Sequence, residues 1–374
     1  MFVGRLAQVT ALEAALLQTR AGRSKSFMIT GERGIGKTSL LQYFKWVGQG
    51  HIPIDGEKMT FLVVELDLDA SSTDVGLIRR AELGLRRELA KTEPARSFLM
   101  SGWDFLKRVE AFGVSVRDTE KASDPETLHD EFAHSLAVTA NRIAESDAHS
   151  VFGAQYDGVI LLIDEADNAP KGLHLGSFLK LLTERIQRHG CQRFMIGLAG
   201  MPSLRGVLRE SHASSLRIFD ELPLDPLSRD EASMVVDRAL AEANNENSDK
   251  TSIDDAGRAG LITLSEGYPH FIQQFGYSAF AADTDLIIDR DDVFRGSFGP
   301  LGAMEKIGDR YYRDDFYNKI QQDSYRQVLR IMADNENRWV SKQDIRAKFK
   351  GKTTTLDNAL HALRERKIVL NSSP

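Results

Sequence analysis

Short apolar runs alternate with helix-periodic segments over the first 200 residues of the chain. Four runs are apolar enough for buried strands, and the segments between them repeat apolar positions every three or four residues, as amphipathic helices do. The predicted strands span residues 27–30, 60–68, 159–163 and 194–199, and the clearest helices span 6–17, 39–47 and 177–188. Strands that alternate with helices predict an α/β fold, with a parallel sheet covered by helices on both faces.

The 71–157 segment interrupts this alternation. It is predicted to be mostly helical, with a short hairpin around 109–116, and we treat it as an insertion in the α/β core. Trp103, Phe105 and Phe112 allow two interpretations: they pack the insertion onto the core, or they form a binding surface for a protein partner. The sequence alone does not choose between them.

The strand–helix alternation stops near residue 222, where we place a domain boundary. Ser228 and Glu231 form a capping box that starts a helix, and residues 222–300 are predicted to be an all-helical lid. Residues 310–374 then predict a helix, a short strand at 339–340, two helices and a last strand at 367–370. That order is typical of a winged helix-turn-helix, so the chain divides into residues 1–221, 222–300 and 310–374.

Composition narrows the class of protein. The chain has 374 residues, of which 42% are hydrophobic and 27% charged, and this excludes a disordered or fibrous protein. Cys191 is the only cysteine, so no disulfide can form within the chain and a reducing compartment is expected. The longest apolar run is far shorter than the roughly 20 residues of a membrane span, and the N-terminus carries no signal-peptide segment. We therefore expect a cytoplasmic protein without a membrane partner.

The net charge of −6 hides an uneven distribution. Residues 324–374 contain eleven basic and five acidic residues, a net charge of +6, so the remainder carries −12. Short polar side chains at the start of the predicted recognition helix can reach base edges, and basic residues before it can neutralise phosphates. The first group is Lys352, Thr353, Thr354, Thr355 and Asn358, and the second is Lys342, Arg346, Lys348 and Lys350. This module predicts binding to double-stranded DNA; a protein-interaction module with a solvated basic face is the alternative.

A glycine-rich segment after the first strand carries the clearest chemistry. Gly31-Glu32-Arg33-Gly34-Ile35-Gly36-Lys37-Thr38, called here the phosphate loop, fits the pattern G-x-x-x-x-G-K-[ST]. The glycines let backbone N–H groups turn around phosphate oxygens, and the helix that follows at Ser39 points its positive end at the same charge. Lys37 is expected to reach the β- and γ-phosphates and Thr38 to ligate Mg²⁺. The segment therefore predicts a site for ATP or ADP.

The strand at 159–163 ends in adjacent carboxylates, Asp164 and Glu165. Such a pair is usually a solvated turn, but the phosphate loop gives it a role, because Mg²⁺ on nucleotide phosphates needs an acidic anchor at the end of a parallel strand. Asp164 is the predicted Mg²⁺ partner, through water, and Glu165 is predicted to polarise the attacking water. Together with Lys37, these carboxylates predict hydrolysis of ATP to ADP and phosphate.

These motifs resemble the AAA+ ATPases, in the branch that contains the origin-recognition initiator-like and the STAND signalling ATPases. Residues 31–38 and 161–167 match the two Walker motifs, and Phe2-Val3-Gly4-Arg5 is similar to the F-x-G-R motif whose loop cradles adenine. Leu6 replaces the acidic residue that commonly follows that arginine. Residues 224–232 resemble the link to the lid, and Gly267-Tyr268-Pro269-His270 resembles the lid element over the nucleotide. The resemblance covers residues 1–290 and implies that Gly4, Arg5, Pro269 and His270 line the nucleotide site.

The chain departs from that family's pattern in the lid and after the fourth strand. His270 stands where the family carries an arginine, and Gly200 stands where it carries a polar sensor residue, for which Ser203 is a substitute candidate. In the family, a neighbouring subunit supplies an arginine finger. The candidates in the expected region are Arg205, Arg209 and Arg217. We take Arg217 as the predicted catalytic finger, and this choice implies a homo-oligomer.

The leading hypothesis is an ATP-binding and hydrolysing AAA+ molecular switch that associates with DNA and oligomerises with nucleotide. The alternative is a STAND-like signalling ATPase, in which the winged helix serves autoinhibition or protein contacts rather than DNA binding. The basic segment 324–374 supports the first hypothesis, and the missing lid arginine at His270 supports the second.

Overall fold

The computed structural model describes residues 3–105, 125–313, 320–335, 339–366 and 368–369. The chain divides into two compact units, residues 1–238 with 265–270, and residues 239–264 with 271–374. The hairpin predicted around 109–116 and Phe2 of the F-x-G-R motif lie outside the described residues. No helix among the described residues is long and apolar enough to cross a membrane.

The first unit is built on a five-stranded parallel sheet in the order β2-β3-β4-β1-β5. Its strands are β1 Ser26–Gly31, β2 Phe61–Asp67, β3 Gly158–Asp164, β4 Phe194–Gly200 and β5 Phe219–Leu224. The predicted α/β fold with a parallel sheet is therefore confirmed, and all four predicted strands are present. Asp67 pairs with Asp164 and Thr30 with Gly200, so the carboxyl ends of these four strands meet at one end of the sheet.

The fifth strand corrects the boundary predicted at residue 222. β5 continues to Leu224 and pairs with β1, with Thr30 opposite Pro223, so residues 222–224 belong to the sheet rather than to the helical lid. β5 lies at the edge of the sheet, where a proline without an N–H group is tolerated and a charged side chain such as Asp220 stays exposed. These features give an edge strand the composition of a loop.

The 71–157 segment contains four helices among its described residues: α3 Asp74–Leu89, α4 Glu93–Gly102, α5 Pro125–Arg142 and α6 Ala148–Phe152. Trp103 and Phe105 are buried in the hydrophobic cluster that these helices form with the sheet. The indole N–H of Trp103 also donates to Oγ1 of Thr139 at 3.3 Å. These two aromatic residues therefore pack the segment onto the core; Phe112 lies outside the described residues.

Alternating residues of β1 pack on opposite faces of the sheet. Phe27 and Ile29 join the cluster formed with α1 (Leu6–Arg20) and α2 (Lys37–Gly48), while Met28 joins the cluster on the other face. α7 (Leu175–Arg188) and α8 (Leu204–Ser211) contribute to that second cluster. The sheet is thus covered by helices on both faces.

Helices follow β5, beginning with α9 (Arg229–Glu246) at the predicted capping box. The N–H of Ser228 donates to Oε2 of Glu231 at 2.9 Å, and the N–H of Glu231 donates to Oγ of Ser228 at 3.2 Å. The next helices are α10 Asp255–Ser265, α11 Pro269–Ala282, α12 Arg290–Phe298 and α13 Ala303–Ile307, with a π-helical turn at Gly308–Tyr312. A short parallel ladder, β6 Ser252–Ile253 with β7 Ile287–Ile288, shows that the segment predicted to be all-helical contains a small β element.

The C-terminal part of the chain contains three helices among its described residues: α14 Asp323–Ala333, α15 Lys342–Lys348 and α16 Thr353–Glu365. Val328, Leu356 and Leu363 are fully buried among them. Ser341 caps α15 by accepting the N–H of Asp344 at 3.1 Å, as the sequence predicts. Residues 339–340 are described and are not in a strand, contrary to the prediction. Residues 367 and 370, at the ends of the last predicted strand, lie outside the described part of the chain. The wing stays a prediction.

Candidate nucleotide-binding site

The phosphate loop joins β1 to α2. Gly34 and Gly36 have φ of 79° and 101°, left-handed conformations that glycine adopts without a Cβ clash. Gly31 is also closed to a side chain, because a Cβ there would lie 2.8 Å from Cγ2 of Ile35 and 2.9 Å from the carbonyl oxygen of Leu224. The glycines of the motif are therefore required by the backbone. Ile35 is buried, whereas the side chains of Glu32, Arg33, Thr38 and Ser39 are exposed around the loop.

Lys37 is the first residue of α2, and its ammonium group lies back over the loop. Nζ donates to the carbonyl oxygens of Gly31 and Glu32, both at 2.9 Å, and the sulfur of Met201 lies 3.9 Å away. Burial lowers the pKa of Lys37, while nearby carboxylates, Asp167 first among them, oppose that shift. The loop thus holds a partly buried cation at the position where the sequence predicts phosphate contact.

Thr38 and Asp164 meet at the end of β3. Oγ1 of Thr38 donates to Oδ2 of Asp164 at 2.8 Å, and Oδ1 of Asp164 accepts the N–H of Glu165 at 2.8 Å. A hydroxyl and a carboxylate are hard oxygen ligands of the kind that Mg²⁺ takes. The donor set therefore fits the ion that the sequence predicts.

Glu165 follows β3 in a left-handed backbone conformation, with φ of 49°. A non-glycine residue in this conformation costs of order 1 kcal/mol or more, and such strain clusters at functional sites. The side chain is exposed, and Nδ2 of Asn168 donates to its Oε2 at 3.0 Å across a 3₁₀ turn. The sequence does not single out Asn168, for which a spacing of three residues from Glu165 is the available signal.

Asp167 fills the space where the family's pattern places a sensor side chain. Its Oδ1 accepts the N–H of Met201 at 2.9 Å, at the end of β4. A Cβ on Gly200 would lie 2.7 Å from that oxygen, so Gly200 has no room for a side chain. The sequence does not single out this carboxylate, although it follows Glu165 by two residues. The structure therefore adds Asp167 to the groups around Lys37.

Arg5 connects the N-terminal segment to the phosphate loop and to α9. Its Nη2 donates to the carbonyl oxygen of Ile35 at 3.2 Å, and its backbone N–H donates to Oε1 of Glu231 at 2.9 Å. Burial of the guanidinium lowers the pKa of Arg5 against the opposing charges of Glu231 and Asp225. Gly4 has φ of 75°, and a Cβ there would lie 2.9 Å from Oε1 of Glu231. Gly4 and Arg5 thus support the loop from its side.

Residues 265–270 lie against the phosphate loop. The backbone N–H of His270 donates to the carbonyl oxygen of Gly34 at 3.3 Å. Cγ of Pro269 lies 3.8 Å from the place that a Cβ on Gly36 would take. The structure therefore brings Pro269 and His270 beside the glycines that enclose the predicted phosphate position.

A family model described as the AAA ATPase domain matches residues 1–191, just over half of the chain. The chain belongs to the AAA ATPase domain family. No curated protein matches it by sequence.

Solved structures share the fold of this AAA ATPase. The Walker-type ATPase paby2304 of Pyrococcus abyssi is 17% identical with a TM-score of 0.53, over 97% of this chain and 89% of that one. The ORC2 protein of Aeropyrum pernix, solved as ADPNP and ADP complexes, is 15% identical with a TM-score of 0.56, over 100% of this chain and 88% of that one. At such identities the likeness shows the fold alone.

The arginines considered for a finger have different surroundings in this AAA ATPase. Arg217 lies exposed in a 3₁₀ turn, Ser215–Ile218, directly before β5. Within the described part of the chain, no hydrogen bond or ion pair joins the side chains of Ser203, Arg209 or Arg217 to residues 31–39 or 164–167. Arg205 instead donates to Oε2 of Glu221 at 2.8 Å. The role of Arg217 as a finger stays a prediction.

Proposed function

We propose that the chain is an ATP-binding and hydrolysing molecular switch. The observation that carries this proposal is the 2.8 Å hydrogen bond between Thr38 and Asp164, two residues 126 positions apart in the sequence. It brings the hydroxyl that follows the loop lysine and the carboxylate that ends β3 to one point beside the phosphate loop. That arrangement is what Mg²⁺-dependent phosphoryl transfer requires.

Each group of the site has a distinct task in the proposed reaction. Backbone N–H groups of residues 31–38 and the N-terminus of α2 hold the phosphates, and Lys37 exchanges the loop carbonyls for β- and γ-phosphate oxygens. Thr38 and, through water, Asp164 would hold Mg²⁺, which would supply positive charge to the phosphate oxygens. Glu165 accepts a hydrogen bond from the attacking water and orients it toward the γ-phosphorus.

The remaining predicted residues complete the nucleotide contact. We assign Gly4 and Arg5 to the adenine side of the site, and Pro269 and His270 to its lid side. The contact of the His270 backbone with Gly34 supports this assignment. Arg217 acts in trans on the nucleotide of a neighbouring subunit, so the active form is a nucleotide-dependent homo-oligomer.

Duplex DNA is the proposed partner of residues 324–374. Two of the basic residues predicted to contact DNA phosphates have partners within this segment. Lys342 pairs with Asp357 at 2.6 Å, and Nη1 of Arg346 donates to the carbonyl oxygen of Gly351 at 2.9 Å. The exposed residues that support DNA binding are Lys348, Lys350, Lys352, Thr353, Thr354, Thr355 and Asn358. They surround the N-terminal turn of α16, from which side chains reach base edges in helix-turn-helix proteins.

A STAND-like signalling ATPase is the second candidate function. His270, which replaces the arginine that initiator-like ATPases carry in the lid, favours it. The two functions differ in what the nucleotide controls. Size measurements on protein with ADP or an ATP analogue, each with and without duplex DNA, separate them. A monomer that copurifies with ADP and whose size does not change with DNA supports the signalling function. DNA-dependent assembly with the ATP analogue supports the DNA-associated molecular switch.

Nucleotide binding is tested directly by Lys37→Ala. We expect about 10- to 100-fold weaker binding of a fluorescent ATP analogue, because the variant loses the charged hydrogen-bond donor of the loop. Lys58→Ala is the matched control, since Lys58 is exposed and lies outside the site. Equal affinity in Lys37→Ala and wild type would contradict the proposed function.

A further inference from the structure

Glu221 connects β5 to both β1 and α8. Its Oε1 accepts the hydroxyl of Thr30 at 3.0 Å, and its Oε2 accepts Nη1 of Arg205 at 2.8 Å. Thr30 directly precedes the phosphate loop, and Arg205 lies in the first turn of α8. One carboxylate therefore joins a cation on α8 to the strand that enters the phosphate loop.

The segment between β4 and α8 also begins beside Lys37. The sulfur of Met201 lies 3.9 Å from Nζ of Lys37, and the N–H of Met201 is held by Asp167. Gly200 cannot carry a side chain, so no polar group at the end of β4 itself can report on a bound phosphate. Arg205 is the first cationic residue after β4, four positions beyond Met201.

The ion pair between Arg205 and Glu221 is readily exchanged. The side chain of Arg205 is 59% exposed and that of Glu221 is 27% exposed. Solvent screens such a pair, so it contributes little to the stability of the fold. A guanidinium can in contrast donate two parallel hydrogen bonds to a phosphate. A terminal phosphate held by Lys37 would therefore compete with Glu221 for Arg205.

We propose that Arg205 contacts the terminal phosphate of ATP bound to the same chain, and that Glu221 holds Arg205 when that phosphate is absent. This inference rests on the proposed ATPase function. It assigns the distinction between ATP and ADP to a residue of α8, in place of the side chain that Gly200 lacks. Because ADP has no terminal phosphate at this position, Arg205 stays with Glu221 when ADP is bound.

Four variants of the full chain test the proposal: Arg205→Gln, Arg205→Lys, Glu221→Gln and, as the matched control, Arg20→Gln. Arg20 also forms an ion pair at 2.8 Å, with Glu57, away from the phosphate loop. Affinities for a non-hydrolysable ATP analogue and for ADP are measured with Mg²⁺ present, together with turnover and thermal unfolding. Thermal unfolding checks that each variant is folded.

Arg205→Gln is expected to weaken the affinity for the ATP analogue about tenfold and to slow turnover at least tenfold. Its affinity for ADP should stay within about twofold of wild type. Arg205→Lys recovers part of the analogue affinity. Glu221→Gln binds the analogue as tightly as wild type or more tightly, since Arg205 is no longer held. Arg20→Gln changes none of these values.

Three results overturn the proposal. If Arg205→Gln leaves the ratio of analogue to ADP affinity unchanged while wild-type binding depends on Lys37, only this inference fails. If Arg205→Gln and Glu221→Gln lose stability and analogue affinity equally, their ion pair has a structural role alone. If wild type binds neither nucleotide, the proposed function fails and this inference fails with it.

Discussion

Glu165→Gln separates nucleotide binding from hydrolysis in this site. The substitution keeps the length of the side chain and a carbonyl oxygen that can accept the 3.0 Å hydrogen bond from Asn168. It removes the carboxylate that would orient and polarise the attacking water. Because the side chain is exposed and the backbone is unchanged, we expect no loss of folding.

The size of the effect follows from the task assigned to Glu165. A positioned general base contributes about 10²- to 10⁴-fold to the rate. At 1.36 kcal/mol per tenfold change, this is roughly 3–5 kcal/mol of the activation free energy. Asn168→Ala leaves the carboxylate in place but removes its hydrogen bond, so a loss of about 1 kcal/mol, roughly fivefold in rate, is expected. The two variants should therefore differ by at least tenfold.

The assay measures phosphate release at saturating ATP, with ATP affinity measured separately. Glu246→Gln is the control, because Glu246 is exposed in the last turn of α9 and lies outside the site. Glu165→Gln should retain wild-type affinity for ATP and lose turnover. Turnover within about twofold of wild type, with ATP bound, would remove Glu165 from its assigned role. A parallel loss of ATP affinity would show that the carboxylate acts in binding rather than in hydrolysis.

Two further predictions concern α9 and the C-terminal segment. Glu231→Ala is expected to lower the free energy of unfolding by about 1–2 kcal/mol at pH 7, since Arg5 and Ser228 lose the acceptor of their backbone N–H groups. Burial alone would raise the pKa of Glu231, but these hydrogen bonds lower it below its ordinary value of 4.5. The stabilisation is therefore present above pH 4.5 and is lost as the pH falls further. Denaturant unfolding at several pH values measures the difference in free energy of unfolding between wild type and Glu231→Ala, and a difference that stays constant with pH would contradict this prediction. Substituting alanine for Lys348 and Lys350 together should reduce the slope of log affinity against log salt by about two for duplex DNA, relative to Lys58→Ala, and an unchanged slope would exclude phosphate contact by these lysines.

The parts of the site that the sequence predicts are those that local constraints define. The phosphate loop needs left-handed glycines at Gly34 and Gly36, a strand before it and a helix after it, and all of these lie within residues 26–48. The link between Thr38 and Asp164 is not local, but Thr38 lies in the first turn of α2 and Asp164 ends β3, and both elements have a clear hydrophobic pattern. Parallel strands then bring the two together without further information.

The parts that the sequence does not predict depend on neighbours that only the fold supplies. β5 contains two adjacent charged residues, Asp220 and Glu221, and it contains Pro223, which an edge strand tolerates and a central strand does not. Asp167 lies among the acidic residues after β3, and its contact with Met201 arises because β3 and β4 are adjacent. Asn168 acts through a 3₁₀ turn that periodicity does not reveal.

The β4–α8 connection gathers these non-local contacts at one place. Met201 contacts Lys37 through its sulfur and Asp167 through its N–H, so a shift of Lys37 from the loop carbonyls toward a phosphate changes the surroundings of this connection. The same connection leads into the turn of α8 that carries Arg205, whose partner Glu221 is bonded to Thr30 before the phosphate loop. A terminal phosphate would therefore act on both ends of a short segment at once, through Lys37 and through Arg205. Loss of that phosphate on hydrolysis would reverse both contacts, which gives the proposed switch a structural basis within a single chain.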